Sequence, residues 1–250
     1  MLRQRKAREK ARNRKSGSPG LEETKIHKGL TEKVQRILPD ARIILTSLPH
    51  VPLIRLYLLS EDYPRGPVSP QEAEKIMAAP PYWSFCWASG QVLAGWILDH
   101  KEVVAGQKIL DFGAGSGVIA IAAALAGARQ VVALDIDPVA CEAVKVNADL
   151  NEVHVQVTDD FEKAAASRID VLFAADVLYD MDNFPFLERF AQTAGEVYVA
   201  DSRAKDLSVP PYRKIGGGTS VSWPDLDEPA EFRQVSIYHA SSSPRHGNRR

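Results

Sequence analysis

From residue 108 onward, apolar residues fall in short unbroken runs separated by stretches of small residues or of helical periodicity. KILDF, QVVALD, IDVLFAAD and EVYVAD are apolar almost throughout, the pattern of strands buried on both faces, and HVQVTDD reads as a further strand. Between them, SGVIAIAAALAGA reads as a small-residue helix ended by Gly127. PVACEAVKVNADLN reads as a helix with Pro138 in its first turn, and residues 184–194 as another. Strands and helices alternating at this spacing predict right-handed βαβ units, hence an α/β fold whose parallel sheet is covered by helices on both faces. The end breaks the alternation. Residues 219–223 and 231–240 read as strands with no helix between them, so an antiparallel pair is expected to extend the sheet.

The first part of the chain is patterned differently. Residues 31–38 read as a short helix with Thr31 as its N-cap, residues 41–60 as a hairpin around the turn at 49–52, and SPQEAEKIM as a helix opened by Ser–Pro. The aromatic, irregular PPYWSFCWASG then feeds an amphipathic stretch at 91–98. The expected organisation is a disordered basic tail at 1–20, a helix and hairpin extension at 21–79, the sheet domain at 80–240, and a disordered tail at 241–250.

Chemistry concentrates at DFGAGSG, directly after the first strand of the alternating region. Gly113, Gly115 and Gly117 occupy a strand-to-helix turn, where glycine serves a backbone with positive φ and lets a ligand pack on the main chain. Sheets of this kind bind ligands outside the carboxyl ends of their strands, and Asp135 ends the next strand, placed to accept hydrogen bonds from both hydroxyls of a ribose. The spacing is GxGxG, whereas dinucleotide folds show GxGxxG with a helix N-terminus facing a pyrophosphate. Here Asp111 stands two residues before the first glycine. A carboxylate beside the turn suits a cationic ligand, and S-adenosyl-L-methionine, with its sulfonium and ammonium, is one.

The DxGxGxG turn together with LDIDP resembles the cofactor motifs of class I (Rossmann-like, seven-β-strand) methyltransferases, over residues 80–240. The resemblance implies a mostly parallel seven-stranded sheet with a C-terminal antiparallel pair. It implies cofactor contacts from the three glycines, Asp135 and Ile136, with Asp111 near the methionine moiety and Asp159 or Asp160 on the adenine amino group. PYWSFCWASGQVLAGWILD and ADVLYD narrow the match to the lysine methyltransferases of the electron-transfer-flavoprotein β subunit and their bacterial relatives. In that group Trp87 would lie against the cofactor, and Asp176 and Tyr179 would form a DxxY motif at the active-site rim. The implied acceptor is a lysine side chain of a protein, such as that β subunit or a ribosomal protein. The alternative is a small amine or pyridine nitrogen, as in nicotinamide N-methylase-like enzymes. The chain departs from the group after EVYVAD, where ADSRAKDL replaces a Gly-Asp-Pro-Gly-like turn, which leaves the substrate side open.

Composition narrows the picture at its edges. A net charge of −1 with 25% charged residues gives no bulk affinity for nucleic acid, and no apolar run reaches membrane-spanning length. The exception is MLRQRKAREKARNRK, a basic run expected to give at most weak contact with an acidic partner or nucleic acid. A base methylase would show (D/N)PPY where this chain has ADVLYD. Cys86 and Cys141 have no disulfide spacing and the histidines no metal spacing. A reducing compartment follows: the cytoplasm, or the mitochondrion if the source is eukaryotic.

Overall fold

The computed structural model describes residues 25–63, 66–67, 69–178, 181–204 and 206–242, so both predicted tails lie outside the described residues except for 241 and 242. In chain order the elements are α1 (Lys28–Val34), β1 (Ile43–Ser47), β2 (Arg55–Leu59), α2 (Pro70–Ala78), α3 (Ala88–Asp99), β3 (Lys108–Phe112), α4 (Val118–Leu125), β4 (Gln130–Leu134), α5 (Pro138–Leu150), β5 (Gln156–Thr158), α6 (Phe161–Ala165), β6 (Ile169–Ala175), α7 (Pro185–Thr193), β7 (Ala194–Asp201), β8 (Arg213–Thr219) and β9 (Gln234–Ser241). The main sheet runs β5-β4-β3-β6-β7-β9-β8. Its first five strands are parallel, and β9 lies antiparallel between β7 and β8. The chain reverses direction across the sheet after β5, where it passes from β5 at one edge to β6 beside β3, so β3 and β6 flank the switch point where such sheets bind ligands.

Two apolar layers sandwich the sheet. On one face α3 and α4 bury Leu93, Ile97, Ile119 and Ala122 against Ile109, Val131 and Phe173. On the other, Leu187 and Phe190 of α7 pack on Leu110, Leu172 and Val197. Alternation of inward residues along β3 (Ile109 to one face, Leu110 to the other) explains why KILDF reads as a continuous apolar run. The small side chains of α4 let its backbone lie close to the sheet. The 25–63 extension joins the domain through a third cluster, in which Leu30, Val34, Ile43 and Leu59 meet Ala140 and Ala143 of α5. Asn147 of α5 stitches these parts together: its Oδ1 accepts from Tyr57 N at 2.7 Å while its Nδ2 donates to Ser116 O at 2.9 Å.

Several elements differ from the sequence expectation. The first helix starts at Lys28, because His27 Nδ1 accepts from Leu30 N at 3.1 Å and takes the capping position. Thr31 instead points inward and accepts from Ile43 N at 3.0 Å, tying α1 to β1. The strand expected at 219–223 lies at Arg213–Thr219, and residues 220–223 leave the sheet so that Trp223 and Cys86 exchange two 2.8 Å backbone hydrogen bonds. The reason is steric. At Gly217 a Cβ would stand 2.2 Å from Val235 O, so the glycine-rich RKIGGGT is the segment able to approach β9 there. The last strand begins at Gln234, residues 230–233 forming a 3₁₀ turn, and FEKAA forms the short α6 that the sequence reading omits. Among the described residues no helix is long and apolar enough to cross a membrane, and no group of three His, Cys, Asp or Glu is placed to hold a metal.

Candidate active site

The site is assembled where β3, β4, β6 and β7 end. After Phe112 the chain turns through Gly113, Gly115 and Gly117 with φ of 69°, 51° and 84°, left-handed conformations that strain other residues. Gly117 is also the N-cap of α4, and a Cβ there would come within 3.3 Å of Val144 of α5. At Gly115 a Cβ would meet nothing closer than 4.0 Å, so that backbone has an open side. The turn is fastened to β4 by Gly113 N and Ala114 N, which both donate to Leu134 O, at 2.9 and 3.0 Å.

Asp135 faces this turn. Its Oδ2 accepts from Gly115 N at 2.8 Å and its Oδ1 from Asp137 N at 3.0 Å. Each oxygen keeps acceptor capacity beyond that bond, as required for two vicinal hydroxyls. Burial raises its carboxyl above the ordinary value, while the amides of Asp137 and Gly115 favour the ionised form. Beside it Ile136 is 88% exposed, a bare apolar side chain suited to cover a flat aromatic base. The two acids after β5 separate in role: Asp160 Oδ1 accepts from Lys163 N at 3.1 Å and caps α6, while Asp159 is exposed at the rim.

Asp111 is buried within β3. Its Oδ2 accepts from Ala120 N at 3.0 Å, but its Oδ1 is a buried atom without a hydrogen-bond partner. Burial, reinforced by the Asp135 charge and opposed by the Ala120 amide, pushes the group from 3.8 up to about 7. A buried carboxylate oxygen lacking a donor fits a cation brought by a ligand. In the ligand-free fold Asp111 holds its proton to higher pH than in the unfolded chain, so its contribution to stability is greatest below about pH 4 and is lost as pH rises through about 7. Asp111→Asn does not titrate. Its melting temperature relative to the wild type is therefore expected to rise from pH 5 to pH 8 in thermal melts, and S-adenosylhomocysteine, which keeps the ammonium, should narrow that gap.

Asp176 directly follows β6 with φ of 51°, a conformation that aspartate and asparagine tolerate better than most. Its backbone N donates to Ala200 O at 3.0 Å, and its carboxylate accepts three hydrogen bonds from the described residues. These come from Ser89 N to Oδ2 at 3.1 Å, Ser89 Oγ to Oδ1 at 2.6 Å, and Ser202 Oγ to Oδ1 at 3.2 Å. Burial pushes its pKa up to about 6; the Ser89 hydroxyl and amide and the Ser202 hydroxyl oppose the rise, and Asp201 adds to it. Ser89 lies in the first turn of α3, whose N-terminal dipole favours the ionised form as well. At neutral pH Asp176 is thus a positioned anionic acceptor.

Trp87 is the residue preceding α3. Its indole N–H donates to Tyr82 O at 3.1 Å, and its ring meets Tyr82 edge-on at 5.7 Å and Phe85 at 5.4 Å. These rings, with Pro81, Pro224 and Leu226, line an apolar cavity of 240 Å³ beside the α3 N-terminus. A larger hollow of 600 Å³, lined by Arg129, Gln130, His154 and Gln156, lies away from the strand carboxyl ends and has none of the site residues. Tyr179 lies outside the described residues. The structure brings in three residues the sequence reading omits. Ser89 had a local signal, a hydroxyl in the opening turn of a helix. Asn147 and Ser202 had none, since their partners lie 90 and 26 residues away.

The chain is similar in sequence to characterised methyltransferases. The family model of ribosomal protein L11 methyltransferase (PrmA) matches residues 96–193. The electron transfer flavoprotein beta subunit lysine methyltransferase of Danio rerio is 43% identical over 115 residues, 45% of this chain and 45% of that protein. The Mus musculus counterpart is 32% identical over 169 residues, 67% of this chain and 65% of that protein. The ribosomal protein L11 methyltransferase of Anoxybacillus flavithermus (strain DSM 21510 / WK1) is 53% identical over 59 residues, 24% of this chain and 19% of that protein. The chain thus spans less than two thirds of the length of each of these relatives. In aligned sequence it is similar to methyltransferases, among them the lysine methyltransferases of the electron transfer flavoprotein beta subunit.

Proposed function

We propose that this protein is an S-adenosylmethionine-dependent protein-lysine N-methyltransferase, acting on an electron transfer flavoprotein β subunit or a ribosomal protein. The observation that carries the proposal is Asp176, a carboxylate held by three donors at the end of β6, next to the glycine turn and the α3 N-terminus. The relatives support the acceptor class, since those matched over 169, 158 and 152 residues are named lysine methyltransferases of that flavoprotein subunit. Bound S-adenosylmethionine would supply an electrophilic methyl group on a sulfonium.

The residues divide the work. The glycine turn, Asp135 and Ile136 would hold the nucleoside, with Asp159 at the adenine end and the unpartnered Asp111 oxygen toward the cationic end. Methyl transfer to nitrogen is an in-line displacement, so alignment and exclusion of water dominate what the protein must provide. A lysine enters protonated, with an ordinary pKa near ~10.4, and an aromatic entrance such as Tyr82, Phe85 and Trp87 disfavours its charged form. Asp176 would accept a hydrogen bond from the amine and orient its lone pair, with Tyr179 shaping the channel. Since Asp176 must be ionised, activity should fall as pH drops through about 6. A reducing compartment, the cytoplasm or, in a eukaryote, the mitochondrion, belongs to the same reading and is supported by two free thiols.

The test is a lysate of the source organism incubated with the purified protein and S-adenosylmethionine labelled in its methyl group. The expected result is label in a discrete protein band, released as methylated lysine on hydrolysis. Label confined to the small-molecule fraction would overturn the acceptor assignment in favour of a small amine or pyridine nitrogen.

A further inference from the structure

Beyond Asp176 itself, β7 ends in a second buried acid, Asp201, whose role is architectural. Asp201 Oδ1 accepts from Arg203 N at 2.7 Å and Ala204 N at 2.8 Å, folding the chain back as soon as the strand ends. Its Oδ2 accepts from Leu178 N at 3.2 Å, two residues beyond Asp176. This one side chain therefore fixes the spacing between the loops after β6 and β7. Between its backbone contacts sits Ser202, itself buried, with its hydroxyl turned onto Asp176 Oδ1.

The donor arithmetic is uneven. Among the described residues, Oδ1 of Asp176 receives two hydroxyls, from Ser89 and Ser202, whereas Oδ2 receives only the Ser89 amide. A carboxylate oxygen has two lone-pair sites, so Oδ1 is filled and the described residues leave one site on Oδ2. We infer that Ser202 is a positioning residue that, together with Ser89, saturates Oδ1 of Asp176 and so presents Oδ2 as the atom that receives the acceptor amine. The inference rests on the proposed role of Asp176 and assigns which of its oxygens acts. Ser202 touches no reacting atom; it works by removing the alternative orientation of the carboxylate and by favouring its ionised form.

Among the described residues, two ionisable groups bear on Asp176. The Asp201 carboxylate faces it from the end of β7 and opposes ionisation, and Cys86, before α3, is a buried thiol pushed well above its ordinary range, hence neutral. The serine hydroxyls carry no charge. Removing one of them takes away a donor that stabilises the anion, so the Asp176 pKa must rise, not fall.

Ser202→Ala keeps the volume nearly unchanged and leaves the Asp201 turn intact. Two measurements decide the matter. In the ligand-free protein, the carboxyl carbon of Asp176 followed by ¹³C NMR should titrate roughly half to one pH unit higher in Ser202→Ala than in the wild type. In the methylation assay, the acid limb of kcat should move up by the same amount. The value of kcat at pH 7 should fall about 3- to 10-fold, while KM for the protein substrate and affinity for S-adenosylhomocysteine stay put. A wild-type titration together with an unchanged pH profile would overturn the inference. The NMR arm needs no methyl acceptor, so it reports on Ser202 even where the substrate assignment fails. Conversely, undiminished turnover of Asp176→Asn would sink the functional reading without disturbing a shifted titration in Ser202→Ala.

Discussion

Asp176→Asn is expected to turn over at least ~100-fold more slowly than the wild type, with affinity for S-adenosylhomocysteine within about threefold. Asparagine is the informative replacement for two reasons. The position has φ of 51°, which asparagine adopts readily, whereas alanine there adds backbone strain of about 1–2 kcal/mol. Asparagine also keeps one acceptor for the Ser89 and Ser202 donors, so the three-way contact between α3, β6 and the loop after β7 can survive. What it removes is the negative charge and one acceptor oxygen, the two properties that a lysine ammonium losing its proton needs opposite it. Asp176→Ala removes those and the contact as well, so its turnover loss should come with a lower melting temperature. A variant that kept near-normal turnover would refute the catalytic assignment, and one that lost cofactor affinity in parallel would move Asp176 to a binding role.

Asp135→Ala should act on binding first. A charge-assisted hydrogen bond is worth about 1.5–3 kcal/mol, and losing a carboxylate that accepts from ligand hydroxyls should weaken S-adenosylhomocysteine by roughly 10- to 100-fold or more. The same change frees Gly115 N and Asp137 N, which now fix the carboxylate at 2.8 and 3.0 Å, so the glycine turn loses its tie to the end of β4 on that side. The ligand and the turn therefore depend on one side chain. At saturating cofactor kcat should remain within a few-fold of wild type, which calorimetry and steady-state kinetics measured together can separate. A loss of kcat with unchanged affinity would contradict the assignment.

The parts of this architecture that were legible in the sequence are those set by local pattern. The buried strands announce themselves as unbroken apolar runs, and α5 by Pro138 in its first turn, where the structure adds Asp137 as the cap. The glycine turn shows itself by residues that alone tolerate its φ values. The carboxylates followed because each ends or enters a strand that pattern had already located. What escaped was set by tertiary contact. Thr31 looked like a cap, but the structure gives the cap to His27 and turns Thr31 onto β1. The strand expected at 219–223 lies at Arg213–Thr219, where glycine serves a close approach to Val235 that only the fold reveals. Nothing around Ser202 or Asn147 marks them in one dimension, because each matters through a partner supplied by a distant strand or loop. The pair Asp159 and Asp160 could not be divided until α6 was seen to use Asp160 as its cap.

The central claim is that the turn through Gly113, Gly115 and Gly117, with Asp135 facing it, receives a nucleoside carrying a cationic amino-acid tail. Titration calorimetry of the purified protein with S-adenosylmethionine and S-adenosylhomocysteine, against NAD as the comparison ligand, tests it most directly. The account predicts saturable 1:1 binding of both adenosyl compounds, lost or strongly weakened in Asp135→Ala, and no measurable heat with NAD. Binding of NAD with no response to either adenosyl compound would contradict it.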